Sequence, residues 1–137
     1  MEIAARSYTP GDAHGPVLIL QEPLSFWGGI AVETGRIIDR SHSSVGVCVT
    51  GTVLLMPGGR GSSSSSAVLA ESLRLGTGPV AIVLATPDPI LTVGALVAHA
   101  LYGIRCPIVV CAIDALRSGA RVRVIAHEAG AGRIEVL

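Results

Sequence analysis

"PVAIVLATPDPILTVGALVAHALYGIRCPIVVCAI", residues 79 to 113, is the stretch whose reading decides the fold. "PVAIVLAT" at 79 to 86 is a continuous apolar run of strand length, without the alternation of a half-solvated strand. "PILTVGALVAHALYG" then reads as a mostly buried helix that stops at Gly103, and "PIVVCAI" at 107 to 113 follows as another strand. Strand, helix and strand joined by short Pro/Gly connections make a βαβ unit. Its two strands are expected to be parallel, its crossover right-handed, and its sheet covered on both faces. Asp88, just ahead of the helix, is placed to cap it.

Outward from this unit the pattern is less uniform. "GPVLIL" at 15 to 20 reads as a buried strand, and "VGVCVTGTVLLMP" at 45 to 57 as a strand pair or one long bent strand. At the other end, "ARVRVIAHE" and "GRIEVL", joined by "AGAG", alternate polar and apolar residues, which predicts a final hairpin with one solvated face. The 137 residues are half apolar, enough for one core, and a single domain over 1–137 is expected. With one Phe, one Trp and two Tyr, that core must be built from Val, Leu, Ile and Ala.

Ten arginines, no lysine and ten acidic residues leave no net charge, and no basic run offers the electrostatic footprint of a nucleic-acid binder. No charged-then-apolar leader opens the chain, and no apolar run approaches the roughly 18–20 residues of a membrane span, so a cytoplasmic protein without a membrane partner is expected. Cys48, Cys106 and Cys111 sit in apolar runs without CxxC spacing and are expected to be buried, reduced thiols. His14, His99 and His127 lack partners at metal-ligand spacing, so no metal is expected on this chain alone.

Two stretches look like site rather than scaffold. "PGGRGSSSSSAVLAES", residues 57 to 72, could be a Gly/Ser spacer, but a linker there would leave two halves too small to hold a core each. The run that follows carries good helix formers up to Gly76, so the serines fall at a helix N-terminus. Unpaired backbone N–H groups and the positive end of the helix dipole make such a place suited to an anion, and Arg60 adds a cation. A Walker loop would need a lysine, and a nucleophile elbow would need Gly where Ser64 stands, so neither chemistry is expected. "EPLSFWGGIAVETGRIIDRSH", residues 22 to 42, is a loop of a length that in a small domain usually serves function.

Taken together, "PLSFWGG", "TGRIIDRSH" and "GGRGSSSSS", in this order and spacing, resemble the swivel-domain small subunit of the aconitase X family, over about Gly15 to Ile113. The resemblance implies a swivelling β/β/α domain, a compact barrel-like sheet with flanking helices, docked against a separate large catalytic subunit. It implies a hydro-lyase in which the large subunit holds an iron-sulfur cluster or metal ion, while this chain supplies a serine general base. By motif alignment that base is Ser62. Arg60, Gly61 and Ser63 are then expected to bind the substrate carboxylate or shape the turn, with Ser64, Ser65 and Ser66 in the first helical turn. Ser25, Phe26, Trp27 and Gly28 are expected to close over a small hydroxy-acid substrate, the aromatics excluding water and Ser25 donating a hydrogen bond. Asp39 and His42 belong to the same motif, although Ser43 stands where many members have Pro.

Within that resemblance, "GRGSSSSS" followed by "VLAES" looks like the cis-3-hydroxy-L-proline dehydratases, which form an enamine that rearranges to 1-pyrroline-2-carboxylate. Archaeal members acting on a mevalonate phosphate, which tend to interrupt the serine run, give the alternative of a phosphomevalonate dehydratase small subunit. Isomerase swivels of the leucine-pathway or aconitase type follow Gly-Ser-Ser with Arg-Glu, where this chain has Ser64 and Ser65. From another class, the chain could be an anion-binding regulatory module without chemistry of its own.

Overall fold

The computed structural model describes residues 1–128 and 130–137. Seven strands close a barrel in the order β1-β7-β6-β5-β2-β8-β9. These are β1 (Glu2–Thr9), β2 (Gly11–Ile19), β5 (Val53–Met56), β6 (Ala81–Leu84), β7 (Ile108–Val110), β8 (Arg121–Ala126) and β9 (Ala131–Val136). Two helices, α2 (Ser65–Leu75) and α3 (Pro89–Tyr102), pack against each other on the outside. The loop between β2 and β5 holds a four-residue turn, α1 (Phe26–Gly29), and a small separate sheet of β3 (Ile30–Ala31) and β4 (Arg36–Ile37).

The βαβ reading holds: β6 and β7 are parallel, with Ile82 opposite Ile108 and Leu84 opposite Val110. The same geometry repeats one unit earlier, where β5 and β6 lie parallel across α2. The reason for the continuous apolar runs is now visible. Val53, Leu55, Ala81, Val83 and Val109 share one core with Val122, Val124 and Ile134, inside the barrel. Their neighbours Leu54, Met56, Ile82, Leu84 and Ile108 share another with Leu69, Leu73, Leu91 and Ala95 of the helices. The final hairpin is antiparallel as expected, with Val124 opposite Ile134. Gly76 and Gly103 end the two helices in left-handed geometry, φ 76 and 69.

Two expectations need correction, and one strand was not anticipated. Of the stretch 45–57 only Val53–Met56 is a strand; its first half is turn, with Gly46 and Gly51 at φ 88 and 73. β1 is a full strand that periodicity did not announce, because its inward positions are occupied by Ile3 and Ala5 between charged or small residues. The three thiols are not alike: Cys106 is buried, whereas Cys48 and Cys111 are half-buried. Among the described residues, no helix is long and apolar enough to cross a membrane.

Candidate functional site

The serine run lies at the start of α2, as its sequence position implied. Ser64 occupies the N-cap position without a side-chain cap of its own, and Ser65 and Ser66 form the first turn. Ser62 does the capping instead: its Oγ accepts the Ser64 N–H at 3.3 Å and its carbonyl accepts the Ser65 N–H at 2.9 Å. Ser62 is half-buried, while Arg60, Gly61 and Ser63 are exposed. The amides of Gly61, Ser62 and Ser63 donate to no acceptor within the chain among the described residues.

The loop is held from behind by α3. Asp88 caps that helix, accepting the Ile90 and Leu91 N–H groups at 2.9 and 3.1 Å. Its other carboxylate oxygen fills the space where a Cβ on Gly59 would lie. Ser66 Oγ donates to the Ile90 carbonyl at 2.6 Å, and Gly94 lets the two helices close, since a Cβ there would stand 2.7 Å from the Ser66 carbonyl oxygen.

The aromatic loop meets this place directly. Leu24 pairs with Gly59 in a parallel bridge, and the Trp27 N–H donates to Ser65 Oγ at 3.1 Å. Trp27 and Gly28 leave helical geometry, with Gly28 at φ 75, a value other residues seldom adopt. Phe26 was expected to cover a substrate together with Trp27, and this is corrected: Phe26 is 0% exposed, packed in the core under the helices, and anchors the loop. Trp27 is 59% exposed beside the serine turn. Ser25 was expected to donate toward a substrate; its hydroxyl donates to the Trp27 carbonyl at 3.0 Å.

Glu22 and Asp39 are both held below their ordinary range, with the Arg60 charge among the smaller causes. The largest cause for Glu22 is the Ser43 N–H, at 2.7 Å, and for Asp39 the Ser41 hydroxyl, also at 2.7 Å. His42 is buried; the Ser44 N–H donates to its Nδ1 at 3.0 Å, and its Nε2 lies 3.3 Å from the Glu22 carbonyl. The sequence reading missed Glu22 and Ser65: neither belongs to a pattern that separates it from an ordinary loop acid or helix serine.

Three hollows are not lined by Ser62: one lies against Arg6, Tyr8 and Pro87, one against Thr50, Gly76 and Arg105, and one against Leu116 and Val136. Among the described residues, no group of three or more His, Cys, Asp and Glu is arranged to hold a metal ion. The thiols face different surroundings: burial pushes Cys106 up to about 12, Cys111 is raised for the same reason, and the Thr50 hydroxyl holds Cys48 below its usual value. These residues do not fit an iron-sulfur cluster or metal.

The sequence profile of the aconitase X swivel domain matches residues 2–136. The chain is 37% identical over 124 residues to cis-3-hydroxy-L-proline dehydratase of Hypocrea jecorina (strain QM6a), covering 90% of this chain and 21% of that protein. It thus spans about a fifth of that relative's length. It is 43% identical over 98 residues to the phosphomevalonate dehydratase small subunit of Methanothermobacter thermautotrophicus, covering 72% of this chain and 75% of that one. The holo-form crystal structure of Thermococcus kodakaraensis aconitase X superimposes with a TM-score of 0.87 at 30% identity, covering 100% of this chain and 98% of that one.

Proposed function

Because this chain belongs to the aconitase X swivel family, we propose that it serves as the swivel part of a hydro-lyase, supplying Ser62 as general base to a site completed by a large catalytic subunit. The reaction is dehydration of cis-3-hydroxy-L-proline to 1-pyrroline-2-carboxylate. A proton leaves the carbon beside the carboxylate, hydroxide leaves the neighbouring carbon, and the enamine so formed rearranges to the cyclic imine. This chain's share is the proton. The Ser62 alkoxide takes it and becomes a hydroxyl; departure of the hydroxide is left to the partner, where the resemblance expects the cluster or metal.

The observation that carries this reading is the environment of Ser62 Oγ. It already accepts one main-chain N–H, from Ser64, at the positive end of α2. A hydrogen bond to a charged group contributes about 1.5–3 kcal/mol, and each pKa unit is about 1.36 kcal/mol, so the one amide on this oxygen lowers its pKa by about one to two units. Arg60 is exposed at the head of the same turn and adds a cation to it.

The substrate reading rests on the unbroken serine run. A phosphorylated mevalonate is the second reading, since identity to the phosphomevalonate dehydratase small subunit is 43%. The deciding experiment is to purify this chain with a large subunit and assay both substrates. The chain alone is expected to be inactive, the complex to dehydrate cis-3-hydroxy-L-proline, and Ser62→Ala to lower kcat by about 10²–10⁴-fold. A fully active Ser62→Ala complex overturns the base; turnover of phosphomevalonate alone overturns the substrate.

A further inference from the structure

Where the aromatic loop meets the serine turn, three hydrogen bonds form a ring. The Trp27 N–H donates to Ser65 Oγ at 3.1 Å, and the Ser25 hydroxyl donates to the Trp27 carbonyl at 3.0 Å. A hydroxyl has one proton to give. With the Ser25 proton spent on the carbonyl, the 3.5 Å contact between the two serine oxygens is filled by the proton of Ser65. Each member then both gives and receives, an arrangement in which the bonds strengthen one another. Both main-chain polar groups of Trp27 are thereby fixed, one by Ser65 directly and one through Ser25.

Ser65 is unusual among the five serines. It is 2% exposed, and its hydroxyl reaches across 38 residues of chain to Trp27 instead of bonding within its own helix. Its main chain, meanwhile, donates to the Ser62 carbonyl at 2.9 Å. One residue thus holds the proposed base by its backbone and the main chain of Trp27 by its side chain.

We propose that Ser65 is a positioning residue: through the Ser25–Ser65 ring its buried hydroxyl holds Trp27 at a fixed place beside Ser62, so that the indole closes the same substrate site from which Ser62 takes its proton. The part concerning catalysis rests on the reading of Ser62 as the base; the ring itself does not.

Trp27 is the only tryptophan of the chain, so its fluorescence reports this place alone. In the full chain without a partner, Ser65→Ala is expected to lower the anisotropy of Trp27 and raise its quenching by iodide, with the circular dichroism of the fold retained. Ser25→Ala, at a half-buried position, is expected to act in the same direction, and the double variant to be no worse than Ser65→Ala, because either change opens the same ring. In the complex, Ser65→Ala is expected to lower kcat/KM roughly 10- to 100-fold, the cost of a misplaced group. Ser62→Ala should leave the Trp27 signal as it is. Unchanged Trp27 fluorescence in folded Ser65→Ala or Ser25→Ala, or strictly additive effects, would overturn the ring and leave the base standing. An active Ser62→Ala complex with an altered Ser65→Ala signal would remove the base and leave the ring.

Discussion

The barrel and its rim are built on opposite terms. In β5 and β6 all eight residues are buried, alternating between the barrel interior and the seam under α2 and α3. Between residues 21 and 50, by contrast, regular structure is limited to a four-residue turn and two strands of two residues, and Gly28, Gly35 and Gly46 sit at positive φ. The barrel is held by many interchangeable apolar contacts. The rim is anchored by a few buried residues, Leu24, Phe26, Ile30, Ile37 and Val49, and its exposed turns are held by single hydrogen bonds between named groups, such as Ser43 to Glu22 and Trp27 to Ser65. A change in the barrel should therefore appear in stability first, and a change at the rim in function first.

The comparison is broken most directly at the seam. Ile82 is 0% exposed and lies in the helix-facing core with Leu84, Ile108 and Leu91. Ile82→Ala removes buried carbon and leaves a cavity, which costs about 2–5 kcal/mol. Urea denaturation of the full chain is the measurement, and the surviving folded fraction should keep the Trp27 fluorescence of the parent. A loss below about 0.5 kcal/mol, the range of surface substitutions, would mean that the seam is not packed as described.

Gly59 stands where the two regions touch. It pairs with Leu24 of the aromatic loop, and a Cβ on it would fall on the Asp88 carboxylate that caps α3. Gly59→Ala must displace either the cap or the loop, at about 1–3 kcal/mol for overpacking. Unlike Ile82→Ala, it should also impair the assembled enzyme by more than its stability loss explains, because the strain is released into the turn that carries Ser62. Full activity at full stability would show that the Asp88 side chain simply turns away.

How much of this was legible follows the same division. The β6-α3-β7 unit, both helix ends and the final hairpin could be read from the sequence, because apolar period, Gly76, Gly103 and Asp88 are local signals with one physical meaning each. β1 escaped because Ala4, Ala5 and Arg6 give no strong alternation; its inward face is set by its partners β7 and β9. At the rim, Ser62 and Trp27 were singled out by their motifs. The inward turn of Phe26 was not, since in "SFWGG" the two aromatics differ only in which side of a non-helical kink they occupy. Nor was the role of Ser65, one of five identical letters, distinguishable before the fold brought Trp27 against it. Hydrophobic pattern records what is buried; it does not record which hydroxyl faces which amide.

The smallest expected effect tests the comparison from the barrel's solvated face. Arg123 Nε donates to Asp12 Oδ1 at 2.8 Å across β2 and β8, with the two side chains 43% and 48% exposed. By geometry this pair is as good as any contact of the serine ring, yet it sits in water, where attraction between exposed charges is largely offset by lost hydration and side-chain freedom. The Arg123 hydrogen bond holds the Asp12 carboxyl below its ordinary 3.8. A carboxyl depressed in the folded state contributes stability above its unfolded pKa and loses that contribution as pH falls through the folded one. Asp12→Asn should therefore lower the melting temperature by about 2 °C or less at neutral pH. The gap to the parent should begin to narrow below about pH 4 and close once the folded carboxyl is protonated, and added salt should shrink it as well. A loss at neutral pH as large as that of Ile82→Ala would mean that individual polar contacts hold the barrel too, and the contrast with the rim would fail.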